Sequence, residues 1–315
     1  MARTISQVID NVRSAIETVI EPFLQDVVFQ AFPTLAVVEQ KGQVMQHDPS
    51  AALAWSLIIA KADSGSYAGA TRFPAREKQL FDKAVLEWKN LYADTVVSGP
   101  DLMRARGPYA SFELTSGIEK VLKASITEET GKQMYSDGAG TDFDGFLITN
   151  DDGVLYPTYA GVPRASVAGM AAFVDGAGAA MTVPLIINAI GKSTFGQSKP
   201  DLLTTTQALW DSLQNRLITQ TFYAGNETNA AAKLGFNSVR VLSADVVYEP
   251  MCPAGNVFGH ATENIELAVM PDRMWSFQGV EKVPGSDAYE LTCLFMGNVI
   301  NRAPREAFRL YSITA

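Results

Sequence analysis

The chain has 315 residues, of which 47% are hydrophobic, so it can bury a sizeable core in one large domain or two. A net charge of −9 and a pI of about 4.8 argue against a protein that reads nucleic-acid grooves, because such a chain repels nucleic acid on average. Two cysteines, Cys252 and Cys293, are too few for a disulfide framework and lack metal-site spacing, which predicts buried thiols in a reducing compartment. Charged residues interrupt the first 30 positions, and no uncharged run approaches the roughly 18 residues of a membrane span. We therefore expect a protein made and kept in the cytosol, or in something assembled there.

The N-terminal stretch predicts an amphipathic helix that ends or kinks at Pro22. Its apolar stripe consists of Ile5, Val8, Ile9, Val12, Ile16, Val19, Ile20 and Phe23. This face needs a surface to pack against, in the same subunit or in a neighbouring one.

A two-stranded hairpin is predicted next, with strands at 55–61 and 67–73 around the turn residues 63–66. An isolated hairpin is marginally stable in water, so it must lie on something, and another subunit is one option. The expected subunit-interface residues are Trp55, Lys61, Tyr67, Arg72 and Phe73.

Helical spacing of apolar residues predicts four further helices, at 77–92, 108–138, 182–190 and 207–217. The longest begins at Pro108, where proline loses no useful donor, and stops at Gly138. At 1.5 Å per residue it would span on the order of 40 Å, which suits a spine for a flat subunit.

From residue 236 the pattern changes to strands, predicted at 238–242, 245–249, 256–260, 265–269 and 289–299, after a short strand at 201–204. Helices come mostly first and strands mostly last, without regular alternation. This order favours an α+β fold over a doubly wound parallel sheet.

The sequence contains only incomplete versions of catalytic and cofactor-binding motifs. Gly191-Lys-Ser-Thr lacks the earlier glycine of a phosphate loop, since that position is Ile186. Asp137, Asp142 and Asp144 do not match calcium-loop spacing and are better explained as turn residues. His260 lies in a predicted strand without a Cys or His partner nearby, which favours a structural histidine. We therefore expect no catalytic residues, no cofactor and no metal, and the remaining features are typical of an assembling shell subunit.

Several stretches, in order, resemble the major capsid proteins of tailed bacteriophages, which have the HK97-type fold. The stretches are Tyr135-Ser-Asp-Gly-Ala-Gly140, Lys199-Pro-Asp-Leu-Leu-Thr-Thr-Thr-Gln-Ala-Leu-Trp210, Asp245-Val-Val-Tyr-Glu-Pro-Met-Cys-Pro-Ala-Gly-Asn256, Met270-Pro-Asp-Arg273 and Gly297-Asn-Val-Ile-Asn-Arg-Ala-Pro-Arg305. Upstream, residues 55–67, Trp88 and Ser98-Gly99 fit the extended loop of that family and the helix after it. The resemblance covers the chain from about residue 50 to its end.

The resemblance implies a domain organisation. Residues 1–50 would be an N-terminal arm and 51–76 an extended hairpin loop over a neighbouring subunit. Residues 77–150 would form a peripheral domain with the long spine helix, 151–280 an axial domain, and 281–315 a C-terminal strand returning to the peripheral domain. Fold analogy alone is weak evidence of function, but known members of this family mostly build shells.

The resemblance also implies partners and a location. The subunits would self-assemble as pentamers and hexamers into an icosahedral virion capsid in the host cytoplasm, around packaged double-stranded DNA that is not bound sequence-specifically. A portal, a terminase, a separate scaffolding protein, a protease and a decoration protein are the expected partners, with no membrane. Some members form a lysine–asparagine cross-link between subunits, for which Lys61 and either Asn298 or Asn301 are the right residue types.

Two alternatives remain open. An encapsulin-like cellular compartment of the same fold would enclose cargo enzyme and not DNA. A soluble hydrolase with an unrecognised site would be a monomer or small oligomer with a deep pocket and perturbed carboxylates.

Overall fold

A computed structural model describes residues 32–48, 50–70, 76–104, 108–176, 178–218 and 238–315. The predicted N-terminal helix at 5–23 and the predicted interface residues Arg72 and Phe73 lie outside these ranges. Within the described ranges, no helix combines the length and the apolar character needed to cross a membrane.

The described helices alternate with groups of strands in a mixed α and β arrangement. The helices are α1 (Pro33–Gln40), α2 (Gly99–Arg104), α3 (Pro108–Gln133), α4 (Phe146–Thr149), α5 (Val183–Ser193) and α6 (Gln207–Ile218). The strands are β1 (Val44–Gln46), β2 (Leu53–Ile58), β3 (Phe81–Leu86), β4 (Lys89–Ser98), β5 (Thr158–Tyr159), β6 (Val162–Pro163), β7 (Phe173–Asp175), β8 (Leu202–Thr205), β9 (Ser238–Val241), β10 (Ala244–Tyr248), β11 (Val257–His260), β12 (Ile265–Val269), β13 (Ser276–Lys282), β14 (Ala288–Asn301) and β15 (Phe308–Leu310). The α+β prediction is confirmed.

A five-stranded sheet is built around the 14-residue strand β14. Along one side, β14 pairs antiparallel with both β12 and β13, at different parts of its length. Along its other side it pairs antiparallel with the whole of β4. Strand β1 adds to the edge through a parallel pairing with β12. Helix α3 lies on one face of this sheet and places Leu122 and Ile126 in the core.

A six-stranded sheet has the order β7-β15-β11-β8-β10-β9. Helices α5 and α6 contribute to one apolar cluster with this sheet, around Ile186, Leu213 and Phe308. Residues of the opposite face, such as Phe258, join the core of the five-stranded sheet. The two sheets therefore share buried side chains through Phe258, Tyr135 and Phe146.

The turn that follows helix α3 depends on Gly138, which has a φ of +68°. A Cβ at this position would lie 2.4 Å from Cδ1 of Ile148, so glycine is required by backbone conformation and by space. The predicted stop at Gly138 lies five residues beyond the last helical residue, Gln133. The sequence correctly predicted the Thr182 cap of α5, whose side chain accepts from the Leu185 amide, and helix α6.

Two predictions upstream of α3 are wrong. The predicted helix at 77–92 is replaced by strand β3 and the first four residues of β4, because β4 forms ten consecutive residue pairs with β14. The predicted return strand also differs: residues 67–70 are not a strand, and the partner of β2 is β3, with Leu53 opposite Leu86 and Ile58 opposite Phe81. The hairpin is therefore real but longer, and its strands end at residue 86.

The inner face of this hairpin rests on a segment that we call the platform, residues 148–170. The platform and the hairpin share an apolar cluster that includes Leu53, Ala84, Tyr159 and Val162. Arg164 holds the platform together from inside, since its buried guanidinium donates to the backbone carbonyls of Ile148, Asp151, Tyr156 and Met170.

Candidate functional site: the hairpin and the open sheet face

The three aspartates considered for a cation serve the turns around them. The Asp137 carboxylate accepts from the Ala139 amide at 3.2 Å, and Asp142 accepts from the Gln133 side chain at 3.1 Å. Asp144 accepts from the side-chain amide of Asn298 at 2.7 Å. Among the described residues, no three His, Cys, Asp or Glu side chains come together as a metal site.

His260 occupies a fully buried polar cluster. Its Nδ1 lies 3.4 Å from Nδ2 of Asn150 and its Nε2 lies 3.3 Å from the Thr204 hydroxyl. Burial lowers the pKa of His260 to about 3, so the ring is neutral near pH 7. This places His260 in a structural role, as the sequence predicts.

Both cysteines are buried and free, as predicted. Burial raises the pKa of the Cys293 thiol to about 12, and it raises the pKa of Cys252 further. The thiolate is the reactive form of cysteine, so neither residue has the properties of a nucleophile.

The hairpin has two different faces. On its inner face Trp55 is half-buried and packs on the platform, with its ring centroid 6.4 Å from that of Tyr159. The main chain adds to this attachment, because the Val85 amide donates to the Ala160 carbonyl at 2.9 Å. The subunit itself therefore supports the inner face.

The outer face of the hairpin exposes an apolar pair. Ile58 and Phe81 lie directly opposite each other in the β2–β3 register and are 76% and 64% exposed. Lys83 and Val85 continue the same face and are also exposed. Two large apolar side chains exposed side by side form a contiguous apolar patch, which is a mark of a contact surface.

A second open surface lies on the face of the five-stranded sheet that is opposite to α3. Strand β4 alternates strictly there: Leu91 and Val97 are buried, whereas Tyr92 and Val96 are 70% and 56% exposed. Leu294 of β14 lies opposite Tyr92 and is partly exposed.

The residues predicted for an interface are therefore distributed as follows. Trp55 packs within its own subunit, whereas Lys61 and Tyr67 lie in an exposed stretch after β2. Sequence reasoning missed Ile58, Phe81, Tyr92 and Val96. The two-residue spacing of Tyr92, Asp94 and Val96 is a strand period that could have placed Tyr92 and Val96 on one face, but the predicted helix at 77–92 took in Tyr92 and stopped before Val96.

The two asparagines considered for a cross-link are buried. Asn298 donates to the Glu87 carbonyl at 2.9 Å as well as to Asp144, and its Oδ1 accepts from the Asp144 amide at 3.0 Å. Asn301 Nδ2 lies 3.4 Å from Oδ1 of Asn150. Both side chains take part in the packing of β14 and are not presented to a partner.

Comparison with known proteins identifies the fold of this chain through solved structures and not through sequence. No protein-family model matches the chain, and no curated protein matches it in sequence. Solved structures do match it over most of its length. The capsid of cyanophage A-1(L) matches with a TM-score of 0.69 at 13% identity, covering 90% of this chain and 93% of that one.

Two further matches are also capsid structures. The capsid of a native GTA particle has a TM-score of 0.61 at 9% identity, covering 88% of this chain and 91% of that one. The procapsid of satellite phage P4, whose structure includes a size-determination protein, has a TM-score of 0.51 at 13% identity and covers 94% and 100%. The chain therefore has the fold of phage capsid proteins, which confirms the resemblance seen in its sequence.

Proposed function

We propose that this chain is the major capsid protein of a tailed bacteriophage, a structural subunit and not an enzyme. The observation that carries this proposal is the capsid fold itself, which extends over about nine-tenths of both chains in the comparison with the cyanophage capsid. A match that spans both whole chains favours a shared architecture over a shared module.

In this proposal the subunits associate into pentamers and hexamers that close into an icosahedral shell. The exposed pair Ile58 and Phe81 would lie between subunits, together with Lys61, Tyr67, Arg72 and Phe73. The support for this assignment is the exposure of the first four side chains and the position of the hairpin on its own platform.

The proposed domains follow the two sheets. A peripheral domain would contain α3 and the five-stranded sheet, and an axial domain would contain the six-stranded sheet with α5 and α6. Residues 1–50 would act as the arm, and the extended loop would run from about residue 51 to 86 and not to 76, because β3 completes the hairpin. The last strand, β15, belongs to the six-stranded sheet, so the C-terminal residues would return to the axial domain after passing through β14.

The proposed shell is the capsid of the virion and is assembled in the host cytoplasm. It encloses double-stranded DNA without reading the DNA sequence, and the net charge of −9 fits a subunit that does not bind DNA specifically. A portal, a scaffolding protein and a decoration protein are the proposed partners.

The test is to express the chain alone and with its neighbouring genes, and to examine both preparations by size-exclusion chromatography and negative-stain electron microscopy. We expect closed shells or rings of five and six subunits. Shells that contain nucleic acid support the phage assignment, whereas shells that contain a cargo enzyme would assign the chain to an encapsulin-like compartment. A stable monomer in both preparations would overturn the shell function and return attention to a hydrolase.

A further inference from the structure

Residues 32–47 form a strap that joins the two sheets. Helix α1 begins the strap, and its Val37 packs against Leu202 and Val247 of the six-stranded sheet. Strand β1 ends the strap by pairing with β12 of the five-stranded sheet. Six of the eight α1 residues are buried, so the strap is part of the core and not a surface decoration.

Three acidic side chains from outside the strap each contact one of its residues. Asp201 accepts from the Lys41 ammonium, and Glu266 binds His47. Glu249 accepts from Thr34, in the first turn of α1. In the first two contacts an acid pairs with a basic side chain of the strap, Lys41 or His47, which is partly exposed. In the third, the partner of the acid is the uncharged Thr34.

The Glu249 contact is buried on every side. Its Oε2 accepts from the Thr34 amide at 3.0 Å and from the Thr34 hydroxyl at 2.7 Å, and that hydroxyl lies 2.9 Å from the Tyr135 hydroxyl. Thr34, Tyr135 and Glu249 are all buried, and Oε1 of Glu249 has no hydrogen-bond partner. Because Phe32 provides no side-chain cap, Glu249 caps α1 from 215 residues away.

The groups around Glu249 do not neutralise it. Tyr135, at the end of α3, and Cys252, in the turn after β10, are the titratable neighbours, and both become anionic when they ionise. Arg309 of β15 acts on Cys252 and donates to Asn256, and within the described residues no basic side chain forms an ion pair with Glu249. Glu266, in contrast, is buried against both His47 and Arg302.

Burial raises the pKa of Glu249 to about 7, and the two donors of Thr34, together with the Met251 backbone amide, oppose this shift without cancelling it. A carboxyl group with a raised pKa holds its proton more tightly when the strap is closed than when water reaches it. Opening therefore releases a proton above pH 4.5, and the closed strap loses stability as the pH rises from about 4.5 through 7 and levels off above that.

We propose that the Glu249–Thr34 contact is a proton-dependent latch on the strap, which holds the first turn of α1 closed while the carboxyl is neutral and lets it open when the carboxylate forms. Opening would admit water to a carboxylate that forms no ion pair within the described residues. The inference concerns the single chain and does not depend on shell formation.

The test is amide hydrogen exchange of the full chain between pH 5.5 and 8.5, under conditions where exchange reports equilibrium opening. After correction for intrinsic rates, protection of amides 34–38 should fall about thirty-fold over this range, from the two-state linkage of a carboxyl with pKa values of 4.5 open and about 7 closed. Amides of β12 serve as the internal reference and should change much less. If protection of the strap stays constant or rises with pH, that result from the unaltered chain is enough to overturn the proposal.

Three variants isolate the group responsible. Glu249→Gln should remove the pH dependence of strap protection, and a fall as large as in the unaltered chain would overturn the proposal. Thr34→Ser keeps both donors and should reproduce the unaltered response. His47→Gln removes the imidazole that binds Glu266, and the response at amides 34–38 should survive it; its disappearance would assign the effect to the Glu266 contact.

Discussion

The indole of Trp55 lies against the phenol ring of Tyr159, with ring centroids 6.4 Å apart and an angle of 54° between the ring planes. Tyr159 is fully buried, and its hydroxyl accepts from the Asn301 amide at 2.9 Å, at the end of β14. Tyr159 thus links the hairpin to the five-stranded sheet, alongside the Asn298 side chain of β14, which donates to the Glu87 carbonyl just after β3. Because of this connection, the two faces of the hairpin should respond differently to substitution.

Trp55→Ala should destabilise the subunit, whereas Phe81→Ser should impair assembly without destabilising it. Loss of a half-buried aromatic ring leaves a gap above Tyr159, and we expect a cost of about 1–3 kcal/mol in the free energy of unfolding. Phe81 is mostly exposed, so its replacement should change that free energy by less than about 0.5 kcal/mol. Urea denaturation measures the first effect, and particle yield by electron microscopy measures the second.

Val154→Ser is the matched control, because Val154 is also an exposed apolar residue but lies outside the hairpin. It should change neither stability nor particle yield. Normal particles from a double variant with both Ile58→Ser and Phe81→Ser would rule out the outer face of the hairpin as a subunit contact.

Arg164→Lys should destabilise the platform although it keeps the charge. The guanidinium donates to four backbone carbonyls from a buried position, and its carbon Cζ lies 5.3 Å from the centroid of Tyr159. An ammonium group cannot reach all four, and each buried carbonyl left unpaired costs about 1–3 kcal/mol. We expect a loss of about 3 kcal/mol in chemical denaturation. The exposed Arg273, replaced by Lys, should change stability by less than about 0.5 kcal/mol.

The strands of the second half of the chain were predictable because each is a short apolar run between turn residues. The predicted range 265–269 coincides with β12, and 245–249 and 256–260 are within one residue of β10 and β11. Strand β13 was missed, because Gly279 and a register shift between Phe277 and Val280 interrupt its pattern.

The region 77–92 was mispredicted for a different reason. Leu80, Phe81, Ala84, Trp88 and Leu91 fit helical spacing, but this spacing arises by chance from two consecutive strands. Pairing of β4 with β14 decides the structure there, and that partner is some 200 residues away. The Glu249–Thr34 contact is beyond sequence reasoning for the same reason, since nothing local marks Glu249 as buried.

A denaturing gel of mature particles should show a single band near 34 kDa, the mass of the chain. A lysine–asparagine cross-link needs an accessible asparagine amide, but the amide of Asn298 is buried and already donates to Glu87 and Asp144. Asn301 is buried as well. A ladder of multimers would contradict this expectation, and mass spectrometry of the linked peptides would then identify the asparagine used.

The stability provided by His260 should decline in acid. Its pKa is lowered by burial from 6.5 to about 3, so below pH 6.5 the unfolded chain binds a proton that the folded chain excludes. The contribution of His260 is therefore complete above about pH 6.5 and is lost progressively as the pH falls towards 3. Between pH 7 and 4.5 the loss amounts to about 2–3 kcal/mol by this linkage.

His260→Gln isolates this effect from the carboxyl groups, because glutamine can bond to Asn150 and Thr204 but does not titrate. The free energy of unfolding of the unaltered chain minus that of the variant should fall by about 2–3 kcal/mol between pH 7 and 4.5 in urea denaturation. A difference that stays constant over this range would mean that the buried imidazole takes up a proton in the folded protein as readily as in the unfolded chain. The neutral ring placed between Asn150 and Thr204 would then be the wrong description of this cluster.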